Sequence, residues 1–216
     1  MEKIKITKYE QNCITIEIGD TEYYVIDTGS ETSMDKLLSI KKATGTFVSH
    51  SHPDHFNINN LKTLNCPIYG SKEVFEELKK ENIDSKELII DNKVILGSLQ
   101  IRPFILDHGI ISAPIVNLGF HINTKEKSIL YLGDIANSST LPTDSKYDLI
   151  FIPVGGSKVF DIHKALDFIK YMNYKGIVIP MHYHGRADRS SGNNFKNIAS
   201  PFCKPIVLDV GESIII

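Results

Sequence analysis

Apolar and polar positions alternate through the start of the chain. Ile4 and Ile6 are followed by Ile14, Ile16 and Ile18, then by Tyr23-Tyr24-Val25-Ile26, with a polar turn at Gly19-Asp20 and an end at Asp27-Thr28-Gly29. A period of two sends successive side chains to opposite faces, so this stretch predicts antiparallel strands. Thr32 or Ser33 is placed to cap a short helix through Leu37, Leu38 and Ile40, and Gly45-Thr46-Phe47-Val48 predicts a short strand running into His50. Over 57–64 and 71–81 the apolar steps lengthen to three and four residues, which predicts two surface helices. Strand-like runs return at 93–96, 99–106, 115–122, 128–132 and 149–154. Ile162, Ala165, Leu166 and Ile169 mark another helix, 176–180 reads as a buried strand, and 205–208 with 213–216 predicts a closing hairpin around Gly211.

Two β-rich halves, each with a helix or two, are what a pair of packed sheets with helices outside would produce. Periodicity alone leaves an ordinary α+β domain equally open. No repeat period or low-complexity linker divides the chain, and 216 residues suit one domain, 1–216, with a sizeable core.

Composition narrows the function classes. Hydrophobic residues at 42% and charged residues at 23% are values of a globular chain. The net charge of -2 and the absence of a basic run remove the positive field that phosphate-backbone binding needs, so no nucleic acid is expected. Cys13, Cys66 and Cys203 are odd in number, far apart and without CxxC, which reads as buried free thiols. The first dozen residues do not form a leader pattern and no apolar run approaches bilayer length; the expectation is a cytoplasmic protein with no membrane partner.

The informative segment is His50-Ser51-His52-Pro53-Asp54-His55, after an apolar strand end and before a helical pattern. At an extended strand end, residues two apart point the same way, so His50 and His52 can meet one cation while the turn at Pro53 redirects Asp54 and His55 to another. Imidazole and carboxylate suit Zn²⁺, Mn²⁺ or Fe²⁺, and crowding them together is costly unless a cation is present. No G-x-S-x-G, Walker-type or G-x-G-x-x-G motif offers a scaffold for serine, phosphoryl-transfer or hydride chemistry.

The segment has the form HxHxDH and resembles the signature of the metallo-β-lactamase superfamily, and the likeness continues in order over residues 20 to 185. Asp27 in Asp27-Thr28-Gly29 resembles that family's early strand-end carboxylate, which supports a ligand from behind. His108 in Leu106-Asp107-His108-Gly109, Asp134 in Leu132-Gly133-Asp134 and His182 in Pro180-Met181-His182 are similar to its remaining ligands. The resemblance implies a four-layer α/β/β/α sandwich of the α+β class. It also implies two divalent cations, zinc first with Mn²⁺ or Fe²⁺ also suited. One would be held by His50, His52 and His108, the other by Asp54, His55 and His182, with Asp134 touching both.

The activity so implied is metal-dependent hydrolysis by a metal-bridging hydroxide on a small-molecule ester, lactone or phosphodiester, with Asp54 orienting the nucleophile and His184 offered as proton donor. Tyr183 and Arg186 are further candidates for the pocket. Residues 152–156, the Ala165 helix and 179–183 together look like the branch that includes ascorbate-phosphate lactonase, but Lys158-Val159-Phe160 stands where that branch commonly has a Thr-Met pair. The competing expectations are a di-iron redox or persulfide-handling enzyme, a non-catalytic metal-dependent sensor, and, disfavoured by charge and length, a nuclease. His121, inside an alternating strand, reads as structural, and His163 as a surface residue. Oligomeric state is not legible.

Overall fold

The computed structural model describes residues 3–38, 42–109, 115–138, 141, 146–183 and 190–216. Its first half runs β1 (Ile4–Lys8), β2 (Ile14–Ile18), β3 (Glu22–Ile26), α1 (Met34–Leu38), β4 (Gly45–Val48), α2 (Ile58–Leu64), β5 (Ile68–Gly70), α3 (Lys72–Lys80) and β6 (Lys86–Glu87). The second half runs β7 (Val94–Leu96), β8 (Leu99–Ile105), β9 (Leu118–Asn123), β10 (Ser128–Tyr131), β11 (Leu149–Pro153), α4 (Ile162–Tyr171), β12 (Ile177–Met181), α5 (Ser191–Ala199), β13 (Lys204–Pro205) and β14 (Ser213–Ile215).

Two seven-stranded sheets result, ordered β14-β1-β2-β3-β4-β5-β6 and β13-β12-β11-β10-β9-β8-β7. Each joins an antiparallel meander to a parallel set: β1, β2 and β3 lead into parallel β4, β5 and β6, and β7 to β10 lead into parallel β11, β12 and β13. Parallel neighbours need a crossover, and every helix lies in one.

The alternation of the sequence becomes layering. Ile14, Ile16, Tyr24, Ile26 and Phe47 of the first sheet meet Ile101, Phe120, Tyr131, Phe151 and Met181 of the second in one central core. The intervening positions face outward onto helices: Tyr23 and Val25 meet Leu37 and Leu64, while Val48 and Ile68 meet Leu61, Val74 and Leu78. On the other side Leu130, Ile150 and Val178 pack with Ala165, Ile169, Phe195 and Ala199. This is the expected four-layer sandwich.

The expected closing hairpin around Gly211 does not form. β13 pairs with β12 in the second sheet, whereas β14 pairs with β1 in the first, so the chain crosses between sheets instead of folding back. An isolated hairpin is marginal, while each segment here extends a sheet that already has a buried face. Gly211, at φ +86°, makes the turn, and its N–H donates to Lys8 O. The short strands β5 and β6 and the helix α5 were not anticipated. Two- and three-residue strands carry no period, and in α5 the apolar face is confined to Phe195, Ile198 and Ala199 at its end. Of the thiols, Cys13 and Cys203 are buried and Cys66 is half-buried; all three are free. The end of the first helix pattern, at Ile40, lies outside the described residues. No helix among the described residues is long and apolar enough to cross a membrane.

Candidate metal centre

Strand direction decides where chemistry collects. Asp27 and the loop 49–55 follow the carboxyl ends of β3 and β4, and His108, Asp134 and His182 follow those of β8, β10 and β12. β8, β10 and β12 run in one direction, so loops far apart in sequence meet at one rim of the sandwich.

There the structure brings together all seven residues singled out as ligands. Donor atoms of His50, His52, His108 and Asp134 lie within 4.8 Å of one another, and so do those of Asp54, His55, Asp134 and His182. Asp134 belongs to both groups and divides its oxygens between them. Oδ2 lies 3.4 Å from His108 Nε2 and 3.8 Å from His50 Nε2, whereas Oδ1 lies 2.9 Å from His55 Nε2 and 3.4 Å from His182 Nε2. Asp54 Oδ2 is 3.2 Å from His182 Nε2.

The loop is seated by contacts that leave it little freedom. His55 N–H and Phe56 N–H both donate to His52 O, closing the turn, and Phe56 anchors its end in an apolar cluster. Ser30 N–H donates to Pro53 O at 2.7 Å, and Asn60 of α2 donates to Gly29 O at 2.7 Å. A Cβ on Gly29 would stand 2.0 Å from the carbonyl carbon of Asp54, so only glycine allows this approach. Gly29→Ala is expected to destabilise the fold by about 1–3 kcal/mol through the displaced loop. Wild-type stability of this variant in urea unfolding would show that the loop does not rest there.

Behind the ligands stands a buried brace. Asp27 accepts from Ser49 N–H at 2.7 Å, Ser49 Oγ–H at 2.7 Å, Tyr131 O–H at 2.7 Å and His55 Nδ1 at 2.8 Å. With Nδ1 donating to Asp27, Nε2 is the atom of His55 that faces Asp134 and that would turn its lone pair to a cation. Asp27 and His182 both adopt left-handed backbone, φ +52° and +55°, a conformation that costs energy in residues other than glycine.

The electrostatics fit a cation. Burial, helped by the neighbouring His55, holds His50 well below the ordinary imidazole range, and burial with His108 lowers His52. Burial alone would also lower His55 and His182, but Asp134 with Asp27 raises the former well above its usual value, and Asp134 with Asp54 pushes the latter up to about 10. Although burial opposes it, His182 and His55 hold Asp134 and Asp54 well below the usual carboxylate range. Fully buried His50 Nε2 has no hydrogen-bond partner among the described residues, nor do His108 Nδ1 and His182 Nδ1. An orphaned lone pair aimed at a bridging carboxylate is what a divalent ion satisfies.

Three contributors were not read from the sequence. Asn12, fully buried, donates from Nδ2 to Asp134 Oδ1 at 2.8 Å; Tyr131 O–H donates to Asn12 O and Asp27; Ser49 bridges Asp27 and His50 Nδ1. Tyr183, a pocket candidate, instead packs inward at 3% exposure with its hydroxyl toward Leu208 O. His184 and Arg186 lie outside the described residues. His121 is structural, bonded through Nδ1 to Tyr147 O–H at 2.7 Å, and His163 is exposed. The centre opens into a pocket of about 730 Å³ lined by His52, Asp54, His108, Asp134 and His182 on the metal side, and by Ser30, Glu31 and residues 155–159 around it.

With this geometry in hand, comparisons with known proteins agree on the fold. Residues 5–182 match the family model described as the β-lactamase superfamily domain. A UPF0173 metal-dependent hydrolase of Nanoarchaeum equitans is 27% identical over 172 residues, covering 74% of this chain and 80% of that protein. Two solved structures superpose over nearly the whole chain. Igni18, a metallo hydrolase of Ignicoccus hospitalis, gives a TM-score of 0.80 at 21% identity, covering 99% of this chain and 98% of that one. The metallo-β-lactamase fold protein YhfI of Bacillus subtilis gives 0.80 at 16% identity, covering 100% of both.

Proposed function

This chain belongs to the metallo-β-lactamase superfamily, and from that premise we propose that it is a binuclear metal-dependent hydrolase, zinc being the first candidate, acting on a small ester, lactone or phosphodiester. The observation that carries the reading is the sharing of Asp134, one carboxylate oxygen toward each of two donor clusters at the floor of a pocket.

His50, His52 and His108 are assigned to one cation and Asp54, His55 and His182 to the other, with Asp134 common to both. A cation pair held there supplies Lewis acidity and a water acidified toward neutral pH. The chain's own residues set the rest. Asp27 keeps the Nε2 lone pair of His55 facing inward. Asp54, with 28% of its side chain exposed, retains an acceptor toward the pocket by which to orient a water for attack. His184, two positions beyond His182, is the assigned proton donor to the leaving group.

The test is elemental analysis of the purified protein, then chelation, refilling with single metals and assay on a panel of lactones, esters and phosphodiesters. About two divalent ions per chain and hydrolysis that disappears on chelation and returns on refilling are expected. His52→Ala is expected to lose that hydrolysis. Full activity in metal-loaded His52→Ala, or iron with a visible absorption band and no hydrolysis, overturns the proposal.

A further inference from the structure

The pocket contains more than the metal cluster requires. At about 730 Å³ it is the size of a site that encloses a whole small molecule, and residues 155–159, none of them among the seven ligands, form part of its wall. That wall is rigid at its base. Gly156 N–H donates to Phe160 O, Val159 N–H to Gly156 O and Phe160 N–H to Ile135 O, while Val159 and Phe160 are 4% and 2% exposed. Gly156 and Ser157 both take left-handed backbone, φ +74° and +64°, and the second of these is strained in a residue with a side chain.

The tip of this turn is unpartnered. Among the described residues, the exposed Lys158 is the one lysine or arginine that lines the pocket, and it makes no hydrogen bond or ion pair. Glu31 also lines the pocket but forms no ion pair with it. The amide N–H groups of Ser157 and Lys158 have no acceptor among the described residues either. One ammonium and two free amides on a fixed turn form a donor set without an acceptor, and the chemical complement is an oxyanion group.

Resting on the hydrolase reading above, we propose that the substrate carries an anionic group, carboxylate or phosphate, apart from its scissile bond, and that Lys158 and its turn receive that group. Lys158 is then a specificity residue that sets affinity and orientation.

Two measurements test this, and the first does not depend on hydrolysis. Glutarate and glycerol phosphate are titrated calorimetrically into chelator-treated protein. Lys158→Gln is expected to weaken the preferred anion about tenfold and Lys158→Arg to restore most of the affinity. The anion that binds more tightly identifies the group. Equal affinity in wild type and Lys158→Gln overturns the proposal. The second measurement compares p-nitrophenyl butyrate with mono-p-nitrophenyl glutarate on zinc-loaded protein. The wild type is expected to favour the anionic ester in KM, and that preference ratio is expected to fall about tenfold in Lys158→Gln. An unchanged ratio overturns the proposal while leaving the hydrolase reading intact. If wild type hydrolyses neither ester nor any of the panel above, the hydrolase reading fails and the titration alone decides the anion site.

Discussion

Asp134→Asn is expected to abolish hydrolysis, by about a thousandfold or more, and to weaken both metal sites together. The reason lies in how its oxygens are divided. Oδ1 faces His55 and His182 while Oδ2 faces His108 and His50, and among the described residues no other carboxylate or imidazole belongs to both clusters. Asparagine keeps the shape but removes the charge and gives one side of the amide hydrogens in place of a lone pair. His52, by contrast, belongs to one cluster only. A zinc titration of chelated protein should therefore show about two tight equivalents for wild type, about one for His52→Ala and none for Asp134→Asn at low micromolar zinc. Two wild-type-affinity sites in Asp134→Asn would refute the shared-carboxylate centre.

How much of this was legible follows from how local each signal is. The loop 50–55 sets out four donors in six consecutive positions, so the spacing itself announces a metal. His108, Asp134 and His182 carry no such signal. Each is a lone polar residue after a strand, where a turn or satisfied side chain is the ordinary reading, and only the ordered resemblance marked them out. The structure adds what spacing could not, that the strands before them share one direction and end at one rim.

Asn12 escaped notice because its function is non-local. In sequence it is a turn residue between β1 and β2, and its amide matters only once Asp134 is beside it. Tyr131 was hidden by its ring, which fits an alternating core strand, whereas its hydroxyl serves Asp27 and Asn12. Gly29 stood in the sequence only as the end of a strand, yet Asp54 packs directly against it. The fold was legible where periodicity is long and failed at the closing hairpin, since local pattern cannot tell two strands that pair with each other from two that join different sheets.

Asp27 provides the second large effect, because stability and metal affinity should separate there. Asp27→Ala leaves Ser49 N–H, Ser49 Oγ–H, Tyr131 O–H and His55 Nδ1 without their buried acceptor, a loss of about 3–5 kcal/mol. Asn tolerates the left-handed backbone at φ +52° and keeps one acceptor oxygen, so Asp27→Asn is expected to cost about half as much. Metal binding should not recover in parallel. The amide oxygen takes the place of Oδ2, which accepts from three donors, but a neutral oxygen supports the Nδ1 proton of His55 less strongly than a carboxylate and leaves Nε2, the atom that faces Asp134, a weaker donor to a cation. Both variants are therefore expected to bind zinc about 10–100-fold more weakly than wild type. Urea unfolding in chelator measures the first quantity and zinc titration the second. Asp27→Asn with wild-type zinc affinity would show that the charge of the carboxylate does not strengthen His55 as a ligand, and Asp27→Ala with wild-type stability would show that the four contacts carry no weight.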